Sequence, residues 1–211
     1  MTALVLKPTP LQDRGTPLLL ASGSAARKRL LENAGLAFES VRPEVDEQAI
    51  RERAQAQGRG VDDTALELAT AKALAINADT RTLVIGSDQM LSCEGRWYDK
   101  PPTLEQAACQ LEALRGRTHT LHTAVVLSRG GQVVWQHVEQ AYLSMRAFSD
   151  SFLAQYLALE GAACLSCVGA YRLEGPGLHL FEQVRGDSFT IQGLPLLPLF
   201  AALREMKVLL T

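Results

Sequence analysis

The chain has 211 residues, 47% hydrophobic and 21% charged, with 9 prolines and 16 glycines, a globular composition that excludes a disordered, collagen-like or coiled-coil chain. The 21 basic and 23 acidic residues leave a net charge of −2 with no block of one sign, so neither a nucleic-acid polymer nor a membrane surface is an expected partner. No apolar run reaches the roughly 18 residues that span a bilayer, and MTALVLKPTP lacks the basic start and long apolar core of a signal peptide, so a cytoplasmic protein is expected.

Residues 1–16, with two prolines and a QDRG cluster, read as a flexible leader before a single domain over 17–211. Leu18, Leu19, Leu20 and Ala21 form the continuous apolar run of a strand buried on both faces. Ser22-Gly23-Ser24 breaks it, Ser24 is placed to cap a helix carrying Leu30, Leu31 and Ala34, and Gly35 stops that helix. Residues 36–42 predict a second strand, followed by an acidic stretch (Glu44, Asp46, Glu47) and a polar region. Thr64 and Glu67 have capping-box spacing for a helix over about 64–78. TLVIGSDQML predicts a buried strand ending at Asp88, and residues 95–102 a loop. Thr103 and Gln106 open a helix that runs to about Leu114 and stops at Gly116. From His119 to Phe148, β-rich sequence around Arg129-Gly130-Gly131 predicts a hairpin. A helix over about 150–159, short strands within 165–192 broken by Gly-Pro-Gly, and a proline-started terminal helix complete an α/β reading with a mixed sheet.

Several residues could carry chemistry. Ser22, Ser24, Arg27 and Lys28 stand where a buried strand meets a helix start, a natural place for phosphate; a capped helix with a solvated basic face is the plain alternative. Asp88, at the end of an apolar strand, could bind a cation or accept a proton, or else cap its own turn. Lys100, before Pro101, suits a phosphate or simply solvent. Lys72, among Ala and Leu at helical spacing, either has a partner or snorkels to water. One of Glu44, Asp46 and Glu47 could be a metal ligand, and Glu174, beside Gly175-Pro176-Gly177, could meet a base or sit in a turn. Cys164-x-x-Cys167 has no second ligand pair for zinc, and with Cys93 and Cys109 these are expected as reduced thiols. The chain has no P-loop, no Rossmann fingerprint and no G-x-S-x-G elbow.

In order along the chain, LASGSAARKRLL, PEVDE, LATAKA, VIGSDQ, the DKP loop, LEALRGRTHTLHTAVVL, GAYRLEGPG and GDSFTIQGLPL together resemble the Maf family of nucleoside triphosphate pyrophosphatases. The resemblance covers nearly the whole chain. It implies a mixed twisted sheet flanked by helices, in two lobes with a central cleft, and hydrolysis of a nucleoside triphosphate to monophosphate and pyrophosphate with Mg²⁺ or Mn²⁺. By position, Asp88 matches the proton acceptor, and Ser22, Arg27, Lys72 and Lys100 match phosphate contacts. Glu44 or Glu47, with Asp88, matches the metal-associated position. Where many members have Ser-Pro-Arg-Arg, this chain has Ser24-Ala25-Ala26-Arg27, with Lys28 next. Gln89 and Glu174 look like the branch acting on 7-methyl-GTP rather than the branch taking dTTP and UTP, while Ala26 stands near where the former carries a tryptophan. The resemblance also admits a nucleotide-binding regulator of cell division, a septum formation inhibitor with little turnover. A homodimer is compatible with the sequence.

Overall fold

The computed structural model describes residues 9–13 and 15–211. Residues 1–8 and Arg14, within the expected leader, lie outside the described residues. In its described part, Gln12 is buried, bridges to Leu209 and exchanges side-chain hydrogen bonds with the backbone of Ala37.

The elements in chain order are β1 (Leu18–Ala21), α1 (Ala25–Asn33), β2 (Glu39–Val41), α2 (Glu47–Ala56), α3 (Val61–Leu74), β3 (Leu83–Cys93) and β4 (Arg96–Tyr98). They continue with α4 (Leu104–Leu114), β5 (Thr118–Arg129), β6 (Gln132–Met145), α5 (Asp150–Glu160), β7 (Phe181–Arg185), α6 (Ser188–Ile191) and α7 (Leu196–Glu205). The strands form one mixed seven-stranded sheet in the order β2-β1-β3-β5-β6-β7, with β4 paired to β3. β1 runs parallel to β2 and β3, whereas β3 with β4 and β6 with β7 are antiparallel. The expected α/β class with helices and a mixed sheet is what the chain adopts.

Local chemistry explains most of these elements. Ser24 accepts the Arg27 amide and caps α1, and Gly35, at φ 75°, lets the Leu36 amide return to the Leu31 carbonyl. Thr103 and Ser149 cap α4 and α5 in the same way as Ser24. Gly130 and Gly131, both at positive φ, make the two-residue turn joining β5 to β6.

Several features depart from the sequence reading, among them strand β4 inside the expected 95–102 loop. The polar region after Val45 is helix α2, capped by Asp46 and built from Gln, Arg, Glu and Ala around a single Ile50, with only Ala54 fully buried, so its apolar period is faint. Thr64 does not cap α3. The helix begins at Val61, and the buried Thr64 hydroxyl donates back to the Gly60 carbonyl at 2.8 Å, while Glu67 pairs with Arg53 and Arg59. β3 does not end at Asp88 but continues to Cys93, because Leu91 and Cys93 are buried and pair with β4. Residues 161–180 are mostly 3-10 turns, leaving β7 as the one strand of the expected short set, while β2 is shorter than the predicted 36–42.

The chain divides into two compact units. The first comprises residues 1–88, 123–139 and 193–211, and the second 89–122 and 140–192. In the first, Leu20, Leu31, Leu68, Ala69 and Ile85 are fully buried where α1 and α3 meet the parallel strands. In the second, Leu91, Leu111, Leu114, Leu143, Met145 and Tyr156 centre the core. Among the described residues no helix is long and apolar enough to cross a membrane.

Candidate functional site

A close backbone approach positions the densest cluster of charge in the first unit. Gly86 lies in β3 under α3. A Cβ there would sit 2.3 Å from the Ala69 carbonyl oxygen and 2.7 Å from Ala73 Cβ, so only glycine lets the helix come this near. Lys72, on the same turn, is carried over the strand. Its Nζ lies 2.5 Å from Asp88 Oδ1 and 2.8 Å from Glu47 Oε1. The ammonium, 9% exposed, has therefore found partners rather than snorkelling. Asp88 is 5% exposed at its side chain, and its Oδ2 has no hydrogen-bond partner among the described residues. A buried carboxylate oxygen without a partner is costly unless something else arrives to meet it.

Glu47 reaches this cluster because α2 is a helix. Arg51, one turn on, pairs with it at 3.1 Å. Burial pushes the Glu47 carboxyl up, but the Lys72 charge and hydrogen bond, with Arg51, outweigh it and hold the acid below its ordinary value. Arg27, on α1, donates from Nε to the Gly193 carbonyl at 2.7 Å and from Nη1 to Ser22 Oγ at 3.4 Å. Burial lowers its pKa, and the charges of Asp88 and Glu47 oppose that. Ser22 is buried, and its hydroxyl also accepts the Ser24 amide. The Ser87 hydroxyl donates to the carbonyls of Ala124 and Gly193, fixing the strand beside Asp88.

Ser22, Ser24, Arg27, Glu47, Lys72 and Asp88 thus belong to one unit and interact there through hydrogen bonds, ion pairs or charge. Lys28 is exposed and pairs with Glu32 along α1, Glu44 is exposed, and Ala26 lies half-buried in the first turn. Gln89, Lys100 and Glu174 belong to the second unit, where Lys100 and Glu174 are exposed. The Gln89 amide nitrogen donates to the carbonyls of Thr190 and Ile191 at 3.0 and 3.1 Å, so its donors already serve the fold. Arg51, Ser87 and Gly86 were missed by the sequence reading; the Glu47–Arg51 spacing would have been a signal had α2 been read as helix.

No group of three or more His, Cys, Asp or Glu converges among the described residues. The metal test therefore rests on two carboxylates. Glu47 and Asp88 share the Lys72 ammonium, and Asp88 presents an oxygen with no hydrogen-bond partner among the described residues. That donor set suits a hard ion that takes few protein carboxylates and fills its remaining positions with water and phosphate. All four cysteines are free thiols.

The model of the family described as Maf-like protein matches residues 17–206. A protein named nucleoside triphosphate pyrophosphatase from Gluconobacter oxydans is 52% identical over 196 residues, covering 92% of this chain and 97% of its own length. One of the same name from Granulibacter bethesdensis is 49% identical, covering 91% and 98%. A protein named 7-methyl-GTP pyrophosphatase from Rhizobium meliloti is 48% identical, covering 90% and 96%. With the match running from the first strand through the last helix, the chain belongs to the Maf family.

Proposed function

We propose that this protein is a nucleoside triphosphate pyrophosphatase that hydrolyses the anhydride between the α- and β-phosphates, releasing nucleoside monophosphate and pyrophosphate. The observation that carries the reading is the buried Asp88, one oxygen fixed by Lys72 and the other without a hydrogen-bond partner among the described residues. Relatives about half identical over nearly their whole length bear names for this activity.

Water is a poor nucleophile toward a polyanion, so the reaction needs a proton acceptor and compensating positive charge. Asp88 accepts the proton of the attacking water as the water's oxygen bonds to phosphorus and the anhydride P–O bond to the pyrophosphate leaving group breaks. Lys72 holds Asp88 in place and, with Arg27, Ser22 and Ser24, offers charge and donors to phosphate oxygens. Lys100 and Lys28 are further basic candidates for phosphate. Glu47 and Asp88 would hold Mg²⁺ or Mn²⁺, which when bound neutralises phosphate charge and lowers the pKa of a coordinated water. Glu174 is the candidate base contact, since a carboxylate accepts two N–H donors of a guanine edge. Ala26 brings no ring for stacking, and Gln89 acts on specificity through the 190–191 backbone it holds.

The test is Asp88→Asn beside wild type, with Mg²⁺ or Mn²⁺ and dTTP, UTP, CTP, GTP and 7-methyl-GTP, assaying pyrophosphate and orthophosphate separately. Wild type should release pyrophosphate, and the variant should lose about 10²–10⁴-fold in rate while staying folded. Orthophosphate as the product would overturn the bond assignment, and near-wild-type turnover by the variant would remove Asp88 as proton acceptor. Binding of every nucleotide without turnover would replace the enzyme by a nucleotide-binding regulator.

A further inference from the structure

The second unit holds a bidentate ion pair, its glutamate buried, that the reaction above does not use. Glu160 ends α5 with its side chain 2% exposed. Arg172 meets it with both edges of its guanidinium, Nε to Oε2 at 2.9 Å and Nη2 to Oε1 at 3.0 Å. The backbone of Arg172 closes the turn that follows. Its carbonyl accepts the Gly175 amide at 3.2 Å, and a Cβ on Gly177 would lie 2.5 Å from that carbonyl oxygen and 2.8 Å from the Arg172 nitrogen. The segment 172–177 therefore folds back onto Arg172, whose side chain is anchored to α5. Glu174 sits exposed within this turn and acts on the Arg172 charge.

A bidentate pair fixes both the place and the plane of a guanidinium, which one ammonium contact cannot do. With the Arg172 side chain 31% exposed, the pair contributes little net stability, so its fixed geometry is the notable property. We propose that Arg172, locked by Glu160, is a positioning residue that sets the Glu174 carboxylate and thereby the selectivity of the enzyme among bases. The proposal rests on Glu174 as the base contact. Neither Arg172 nor Glu160 is assigned contact with the reacting phosphates.

The experiment measures kcat and KM of Arg172→Lys, Glu160→Asp, Glu174→Gln and the Arg172→Lys/Glu174→Gln double variant on GTP, 7-methyl-GTP and dTTP, with a melting curve for each. Arg172→Lys keeps the charge but loses the fork. Glu160→Asp keeps the buried charge and shortens its reach, so it preserves a test if Arg172→Lys does not fold. Each should change the guanine-to-dTTP ratio of kcat/KM by about fivefold or more, chiefly through KM for the guanine nucleotides. The double variant should match Glu174→Gln alone, because both changes act through one carboxylate. An equal loss on all nucleotides would make the pair merely structural and overturn the proposal. So would unchanged selectivity in Arg172→Lys and Glu160→Asp while Glu174→Gln shifts it. Unchanged selectivity in Glu174→Gln itself would instead remove the base-contact reading, and the positioning role with it.

Discussion

Gly86→Ala probes how the fold builds the charged cluster without altering any charge. The added methyl would lie 2.3 Å from the Ala69 carbonyl oxygen and 2.8 Å from the Ala73 nitrogen, where ordinary contact begins at 3.4 Å. These are backbone atoms of α3 and cannot rotate away. The helix must retreat by about 1 Å, an overpacking that costs about 1–3 kcal/mol. At about 2–4 °C per kcal/mol for a chain of this size, the melting temperature falls by roughly 2–12 °C. Lys72 retreats with the helix. Its contacts to Asp88 and Glu47, now 2.5 and 2.8 Å, stretch to or beyond the usual limit of about 3.2 Å for an N–H···O bond. Misplacement on this scale costs about 10²-fold in rate. The assay is pyrophosphate release beside a melting curve on the same preparation. Full activity with a melting temperature within about 1 °C of wild type would refute the close approach as the device that seats Lys72. A lower melting temperature with intact activity would show that the seat of α3 does not govern the site.

Two further outcomes follow from charge and burial. Lys72→Met leaves Asp88 buried without its ammonium, so unfolding free energy should fall by about 3–5 kcal/mol, and Mn²⁺ should raise the melting temperature of the variant more than that of wild type. A loss under about 1 kcal/mol, or no added response to Mn²⁺, would contradict the shared-cation account. His119, buried with Nε2 2.7 Å from the Tyr171 hydroxyl and Nδ1 without a partner among the described residues, is pushed by burial from 6.5 to about 4. Its folded pKa is lower than its unfolded one, so this stability is present above pH 6.5 and is lost as pH falls from 6.5 toward about 4. Between pH 7 and 5 the loss is about 2 kcal/mol, read from urea unfolding, and His119→Gln should flatten it; an unchanged slope would assign the acid sensitivity elsewhere.

Much of this protein is decided by chemistry local in the chain. Ser24, Thr103 and Ser149 cap their helices because their hydroxyls need only an amide three residues on, and Gly130-Gly131 turns a hairpin because both positions demand positive φ. The ordered motifs likewise singled out Asp88, Lys72 and Arg27. What the sequence alone did not decide were features whose determinants lie far apart along it. Thr64 has the spacing of a cap, yet tertiary burial puts it inside α3, and α2 is helical although its apolar period is faint. The choice of Glu47 over Glu44 as the partner of Lys72 depends on where α2 begins and which way its first turn faces α3. Lys72 meets Asp88 only because Gly86 admits the helix to the strand, and Arg172 meets Glu160 only because a turn of the second unit folds back beside α5. Caps and turns are settled within a few residues, whereas a buried charge is settled by whichever opposite charge packing delivers to it.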